Sequence, residues 1–213
     1  MTSDVALASA LADNLESAFE GLVCAWSQRL YAFALRMTGQ PRDAEEIAQE
    51  TLVRAWRALV DYSPERRRAL HLRPWLFQIA ANLARNRARA TRRSETLSLD
   101  SDASGSSVER DGGSATPHAL AERIADEDPF GAPEVALARE ERLADLAAML
   151  LTLPETQRMA VILRHVEGLS YAAIAEITGA PVGTVKSHAS RGVAQLRRAL
   201  ERESASEAQE AYL

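Results

Sequence analysis

LSYAAIAEITGAPVGTVKSHASRGVAQLRR, running from Leu169 to Arg198, decides how this chain is read. Ser170 is placed to cap a helix whose apolar positions Ala172, Ile174, Ala175 and Ile177 form one face, and Gly179 follows as the residue able to leave that helix at positive φ. Pro181 is tolerated near the start of a helix, where its missing N–H removes no bond. A second helix is therefore predicted from about Pro181 through Val185, Ala189, Val193 and Leu196. The small Ala175 suits a close crossing of the two helices, and the whole is the helix-turn-helix pattern. Thr184, Lys186, Ser187, His188, Ser190 and Arg191 are left facing outward at or near the N-terminal half of the second helix, the part that enters a major groove. Lysine and arginine there meet phosphates or guanine edges, and serine and threonine meet either. A plain helical hairpin with a wetted polar face is the simpler alternative, but turn chemistry, small residue and basic helix agree on DNA contact.

The 213 residues, 46% of them hydrophobic, suffice for one large domain or two small ones. No uninterrupted apolar run approaches the roughly 20 residues that span a bilayer. The start, MTSDVALASALADNLE, lacks the basic opening and long apolar stretch of a signal peptide, so no membrane insertion and a cytoplasmic location are expected. The single cysteine, Cys24, has no partner for an internal disulfide, and its neighbours Leu22, Val23 and Trp26 suggest burial in a helix core. The net charge of -5 conceals an asymmetry. From Pro64 to Arg93 nine arginines stand against Glu65 alone, whereas from Ser94 to Glu134 ten acids stand against Arg110 and Arg123.

Along the first half, Leu22, Val23, Trp26, Leu30, Phe33, Ala34 and Met37 recur at helical spacing until Gly39 and Pro41 end the run. Asp43 and Glu46 read as a start signal for a second helix with the apolar stripe Ile47, Ala48, Leu52, Ala55, Trp56 and Leu59. Asp61 to Pro74 holds two prolines and little periodicity, so a loop or short turn is expected there. A third helix is predicted from Trp75 through Leu76, Ile79, Ala80 and Leu83 into the arginine-rich end at Arg93. Ser94 to Val135 is rich in Ser, Gly, Asp, Ala and Pro, the composition of a flexible acidic linker. Helical periodicity returns from Ala136 to Leu151. Thr152 and Glu155 around Pro154 start a further helix that ends near Gly168, and the helix-turn-helix pair closes a four-helix domain. The expectation is an all-α protein of two small helical domains: 1–93, a linker 94–135, a helix-turn-helix domain 136–202 and a tail 203–213.

DAEEIAQETLVRAWR, WLFQIAANLARNRARATRR and the terminal LSYAAIAEITGAPVGTVKSHASRGVAQLRR, in this order, resemble the extracytoplasmic-function group of bacterial sigma-70 family RNA polymerase sigma factors. The resemblance implies that the first domain corresponds to sigma region 2 and the last to region 4. It implies docking of the Asp43 to Arg57 helix on a coiled coil of core RNA polymerase, with Asp43, Glu46, Gln49 and Glu50 as candidate polar contacts. Asp43, Glu46 and Glu50 do share a helix face that suits a basic partner, although a solvated acidic face has the same spacing. It implies melting and capture of the promoter's -10 element by a loop from Ser63 to Arg73 and by Asn82, Arg85, Asn86 and Arg89 on the following helix, without ATP. Trp75, at the start of an apolar stripe, reads as a core anchor. Duplex binding at the -35 element falls to Thr184, Lys186, Ser187, His188 and Arg191. The pattern departs from its relatives at Ala173, His188 and Gly192, where glutamate, arginine and alanine are frequent, and lacks an aspartate usual near Asn86.

The resemblance also implies an anti-sigma factor as partner. A linker of 42 residues relaxes to roughly 32 to 39 Å and reaches about 140 Å, enough for two promoter elements roughly 70 Å apart. A stand-alone helix-turn-helix regulator of duplex DNA is the alternative. An enzyme is not expected: His71, His118, His165 and His188 are scattered, Asp43, Glu45, Glu46 and Glu50 make no metal-binding constellation, and no cofactor or phosphate loop is indicated.

Overall fold

The computed structural model describes residues 4–101 and 145–210, with side chains described for 4–90 and 145–202. All regular structure among the described residues is helical, and the helices fall into two compact units. The first unit holds α1 (Asp4–Asp13), α2 (Leu15–Thr38), α3 (Pro41–Asp61), α4 (Pro64–Arg68) and α5 (Leu72–Ser101). The second holds α6 (residues 145–152), α7 (Glu155–Val161) continued by a π-helical turn (Ile162–Val166), α8 (Tyr171–Thr178) and α9 (Val182–Glu210).

In the first unit α2, α3 and α5 enclose the core, with α1 laid against α2 and α4. Leu22, Leu30, Phe33, Leu59, Leu76 and Phe77 are fully buried. Each such side chain contributes on the order of 1.5–3 kcal/mol relative to exposure. Phe77 meets Phe33 with ring centroids 5.2 Å apart and the edge of Trp26 at 5.9 Å. Gly39 ends α2 at φ 71°, where its N–H reaches Leu35 O at 2.8 Å, and Pro41 opens α3. The chain thus starts α3 through the fixed φ of proline at the first helical position. Asp43 and Glu46 do not cap it: the cap residue is Gln40, with no side-chain bond.

Several boundaries differ from those read in the sequence. α1 went unrecognised, because an alanine-rich turn carrying only Leu7 and Leu11 as large buried residues gives a weak stripe. Asn14 separates α1 from α2 and caps α2, accepting from Ser17 N at 3.2 Å. The expected loop from Ser63 to Arg73 contains α4, opened by Pro64 behind the Ser63 cap, and α5 begins at Leu72 instead of Trp75. Cys24 is exposed, since it lies across the helix from Leu22 and Trp26. The α5 backbone continues to Ser101, past Arg93, so 94–101 of the expected linker are helical. Residues 102–135 of that linker, 136–144 of the helix expected to follow it and 211–213 of the tail lie outside the described residues.

In the second unit, Leu150, Leu153, Met159, Ile162, Leu163, Ile174, Ile177, Val185 and Ala189 form the core, and α9 packs on α7 and α8. Thr152 bonds back to Met149 O at 2.7 Å and so closes α6 instead of capping α7. The helix-turn-helix is built as its turn chemistry requires. Ser170 Oγ accepts from Ala173 N at 3.1 Å, and Gly179 leaves α8 at φ 71° with its N–H on Ala175 O at 2.8 Å. A close helix approach lies at Gly192 of α9, where a Cβ would lie 2.6 Å from Val161 Cγ2, and Ala175 is half-buried.

Candidate functional site

Two polar surfaces, one on each unit, carry the residues singled out by sequence. On the first unit α3 and α5 border an open groove of about 570 Å³ that brings together Asp43, Glu46, Gln49 and Glu50 with Asn86 and Arg87 opposite; Ile47, Val53, Leu83 and Ala90 give it an apolar floor and rim. The helical spacing of 43, 46, 49 and 50 turns all four toward α5. The acids have partners within the fold. Arg87 hydrogen-bonds Asp43 and reaches Glu46 Oε2 with its other nitrogen at 3.2 Å. The hydrogen bond to Asp43, followed by the attraction of both carboxylates, raises the Arg87 pKa further above its ordinary value. Glu50 is held by Arg54 at 2.7 Å, and Arg42 approaches Glu46 at 3.5 Å. Glu46 and Glu50 remain about half exposed, whereas the Asp43 side chain is 18% exposed. Arg87 was missed as a functional residue because it counted only as one of many arginines; its place on the α5 face of Leu83 was the available signal.

The same α5 helix carries Asn82, Arg85, Asn86 and Arg89 at three- and four-residue spacings on one side. Asn82, Asn86 and Arg89 are exposed, and Arg85 is half-buried, its guanidinium bonded to Asn82 and to Ala81 O at 3.3 Å. At the corner before α5, Ser63 is exposed and its hydroxyl accepts from Arg66 N at 3.3 Å, capping α4. Bonds to its own backbone and to Ser63 hold the Glu65 carboxyl below the usual carboxylate range. The corner arginines have internal partners. Arg66 lies 3.7 Å from the Tyr62 ring centroid, Arg67 donates to Leu59 O at 2.7 Å and Val60 O at 3.4 Å, and Arg68 pairs with Asp13 at 2.6 Å. Arg73 sits in the first turn of α5, 3.3 Å from Asp4. Trp75 is half-buried against Tyr62 at 6.2 Å, more a flank of the core than its anchor.

On the second unit the N-terminal turns of α9 present Thr184, Lys186, Ser187 and Arg191 to solvent. Ser187 bonds back to Gly183 O at 3.0 Å. His188 is half-buried, with Nδ1 enclosed and unbonded, so it faces less outward than the pattern suggested. Lys186 stands 5.8 Å from the centroid of Tyr171, the first residue of α8, and Arg164 of the π-turn stands 4.7 Å from the same ring. Among the described residues no three His, Cys, Asp or Glu side chains gather to hold a metal, and no helix is long and apolar enough to cross a membrane.

The residues of both surfaces fall within segments that match known families. Residues 22–94 match the family described as sigma-70 region 2, and residues 143–196 match sigma-70, region 4. The ECF RNA polymerase sigma factor SigE of Mycolicibacterium smegmatis is 35% identical over 196 residues, which cover 91% of this chain and 65% of that protein. The RNA polymerase sigma-H factor of Pseudomonas aeruginosa is 33% identical over 184 residues, 86% of each chain. Among solved structures, the sigma factor RpoE of Bartonella quintana, crystallised with the anti-sigma factor NepR, is similar with TM-score 0.57 and 26% identity, covering 86% of this chain and 96% of that one.

Proposed function

Because this chain belongs to the extracytoplasmic-function sigma factors of the sigma-70 family, we propose that it seats on core RNA polymerase through the α3–α5 groove and directs promoter opening and transcription initiation. Asp43, Glu46, Gln49 and Glu50 make the polar contacts to the core enzyme, around the apolar Val53. The observation that carries this reading is the convergence of those four residues in one groove beside the polar face of α5. A protein seated there leaves Asn82, Arg85, Asn86 and Arg89, with the Ser63–Arg73 corner, next to the enzyme to take a displaced -10 strand. Capture of unpaired bases and phosphates shifts the duplex toward its open form without ATP.

Thr184, Lys186, Ser187, His188 and Arg191 hold the -35 duplex, and the acidic stretch after α5 tethers the two contacts so that the first raises the effective concentration of the second. Domain limits at 1–93, 94–135, 136–202 and 203–213 divide these tasks, α5 carrying its helix into the tether. Work on core polymerase is cytoplasmic work. An anti-sigma factor that covers the groove is the expected inhibitor, in keeping with the complex known for the Bartonella relative. Run-off transcription from a promoter library with purified core enzyme tests the reading. Promoter-specific transcripts are expected only when core and this chain are both present, and tight specific duplex binding by the chain alone would favour a stand-alone regulator.

A further inference from the structure

We infer that Tyr171 is a positioning residue for duplex DNA: its ring holds the Lys186 ammonium at a fixed place on the entering face of α9. The inference rests on the duplex-binding reading of the second unit and deepens it. Three elements converge on this ring. Ser170 caps α8 and thereby fixes Tyr171 as its first residue. The π-turn delivers Arg164, which stands 4.7 Å from the ring centroid while donating to Leu169 O at 3.0 Å, one step before the cap. Lys186, on the second turn of α9, stands 5.8 Å from the same centroid.

The physics of the arrangement suits a lysine. A long exposed side chain ordinarily loses rotamer entropy when it takes a phosphate. An aromatic face attracts its ammonium through the ring quadrupole without using any of its three N–H donors, so the group is held in place and still able to donate. Arg164 cannot take over the role, because its guanidinium is committed to the backbone of the α7–α8 connection. The outcome is a cation directed outward before DNA arrives. The ring therefore acts on affinity without itself touching the nucleic acid.

The test is a double-mutant cycle in the full-length chain bound to core polymerase. The probe is a duplex promoter selected by that wild-type holoenzyme from a randomised library, with affinity followed against salt. Lys186→Ala should weaken binding and reduce the slope of log affinity against log salt by about 0.9, the signature of one lost phosphate contact. Tyr171→Leu should weaken binding about two- to fivefold with the slope unchanged, as expected for losing a cation–π hold at an exposed site. Tyr171→Phe should bind as wild type, and Tyr171→Leu should add nothing on the Lys186→Ala background. If Lys186→Ala changes neither affinity nor slope, Lys186 is no DNA contact and the proposal falls with that part of the duplex-binding reading. If Lys186→Ala behaves as stated but the two substitutions are additive, only the positioning role is overturned. Loss of affinity in Tyr171→Phe would likewise overturn it, by making the hydroxyl a direct contact.

Discussion

Gly192 sits where a methyl group has no room. With Val161 Cγ2 at 2.6 Å from the position of its missing Cβ, Gly192→Ala forces α9 away from α7 and is expected to destabilise the second unit by about 1–3 kcal/mol. Denaturant unfolding checks this. The cost should shrink when Val161→Ala is already present, because the clash is with that side chain. The sequence marked Gly192 only as a departure from alanine, since a helical glycine is silent about which neighbour it faces. Ser63 has two roles that a second pair of variants separates. As the α4 cap it is worth about 1 kcal/mol, lost in Ser63→Ala and kept in Ser63→Asp, whose carboxylate also accepts from Arg66 N. If strand phosphates pass this corner, Ser63→Asp keeps stability yet weakens binding of a single-stranded -10 oligonucleotide to the holoenzyme, measured by fluorescence anisotropy.

At the scale of elements, α1 is clamped at both ends by arginines of the opposite corner, Asp4 to Arg73 and Asp13 to Arg68. Both pairs are largely exposed and are worth no more than about 1 kcal/mol each. Asp4→Asn with Asp13→Asn should therefore leave the midpoint of unfolding nearly unchanged while raising affinity for the single-stranded oligonucleotide, by releasing two cations. Equal affinity would show that the strand does not use Arg68 and Arg73. Across the groove, Arg87→Gln removes the countercharge of Asp43 and Glu46. Binding to core polymerase should then strengthen at low salt and fall more steeply as salt is raised, in a titration of labelled protein with core enzyme. α2, α3, α5, α8 and α9 were legible because each carries a wide apolar stripe with a breaker at its edge. α1 was not, because its alanine-rich face carries only Leu7 and Leu11 as large buried residues, and α4 was not, because five residues leave too few turns for periodicity to register. The start of α3 was misassigned for a related reason: an acid pair in a first turn looks the same whether it caps the helix or binds Arg87, 44 residues away.

For the whole molecule, the division into two units, each with its own buried core, predicts two unfolding transitions. Calorimetry should show Gly192→Ala moving one of them and Ala80→Gly, in the core of α5, moving the other. Coincident shifts in both would mean that the units unfold as one. The two-domain plan was readable from the swing in charge between Arg93 and Ser94 and from the separate helix-turn-helix signature. The candidate surfaces were readable as lists of polar positions, because helical spacing alone gathers 43, 46, 49 and 50, or 82, 85, 86 and 89, on one side. Their state of pairing was not, because it depends on partners from other helices: Asp43 with Arg87, Arg68 with Asp13, Lys186 with Tyr171.

With Arg67 hydrogen-bonded to carbonyls near the end of α3 and Arg68 and Arg73 beside carboxylates at the ends of α1, the guanidinium groups of that corner have partners within the fold instead of trailing as a loose brush. A heparin column should accordingly retain this protein less than its arginine tally suggests. That restraint matters in a nucleoid, where indiscriminate stickiness to every phosphate would hold a promoter-seeking protein on the vast excess of non-specific sites.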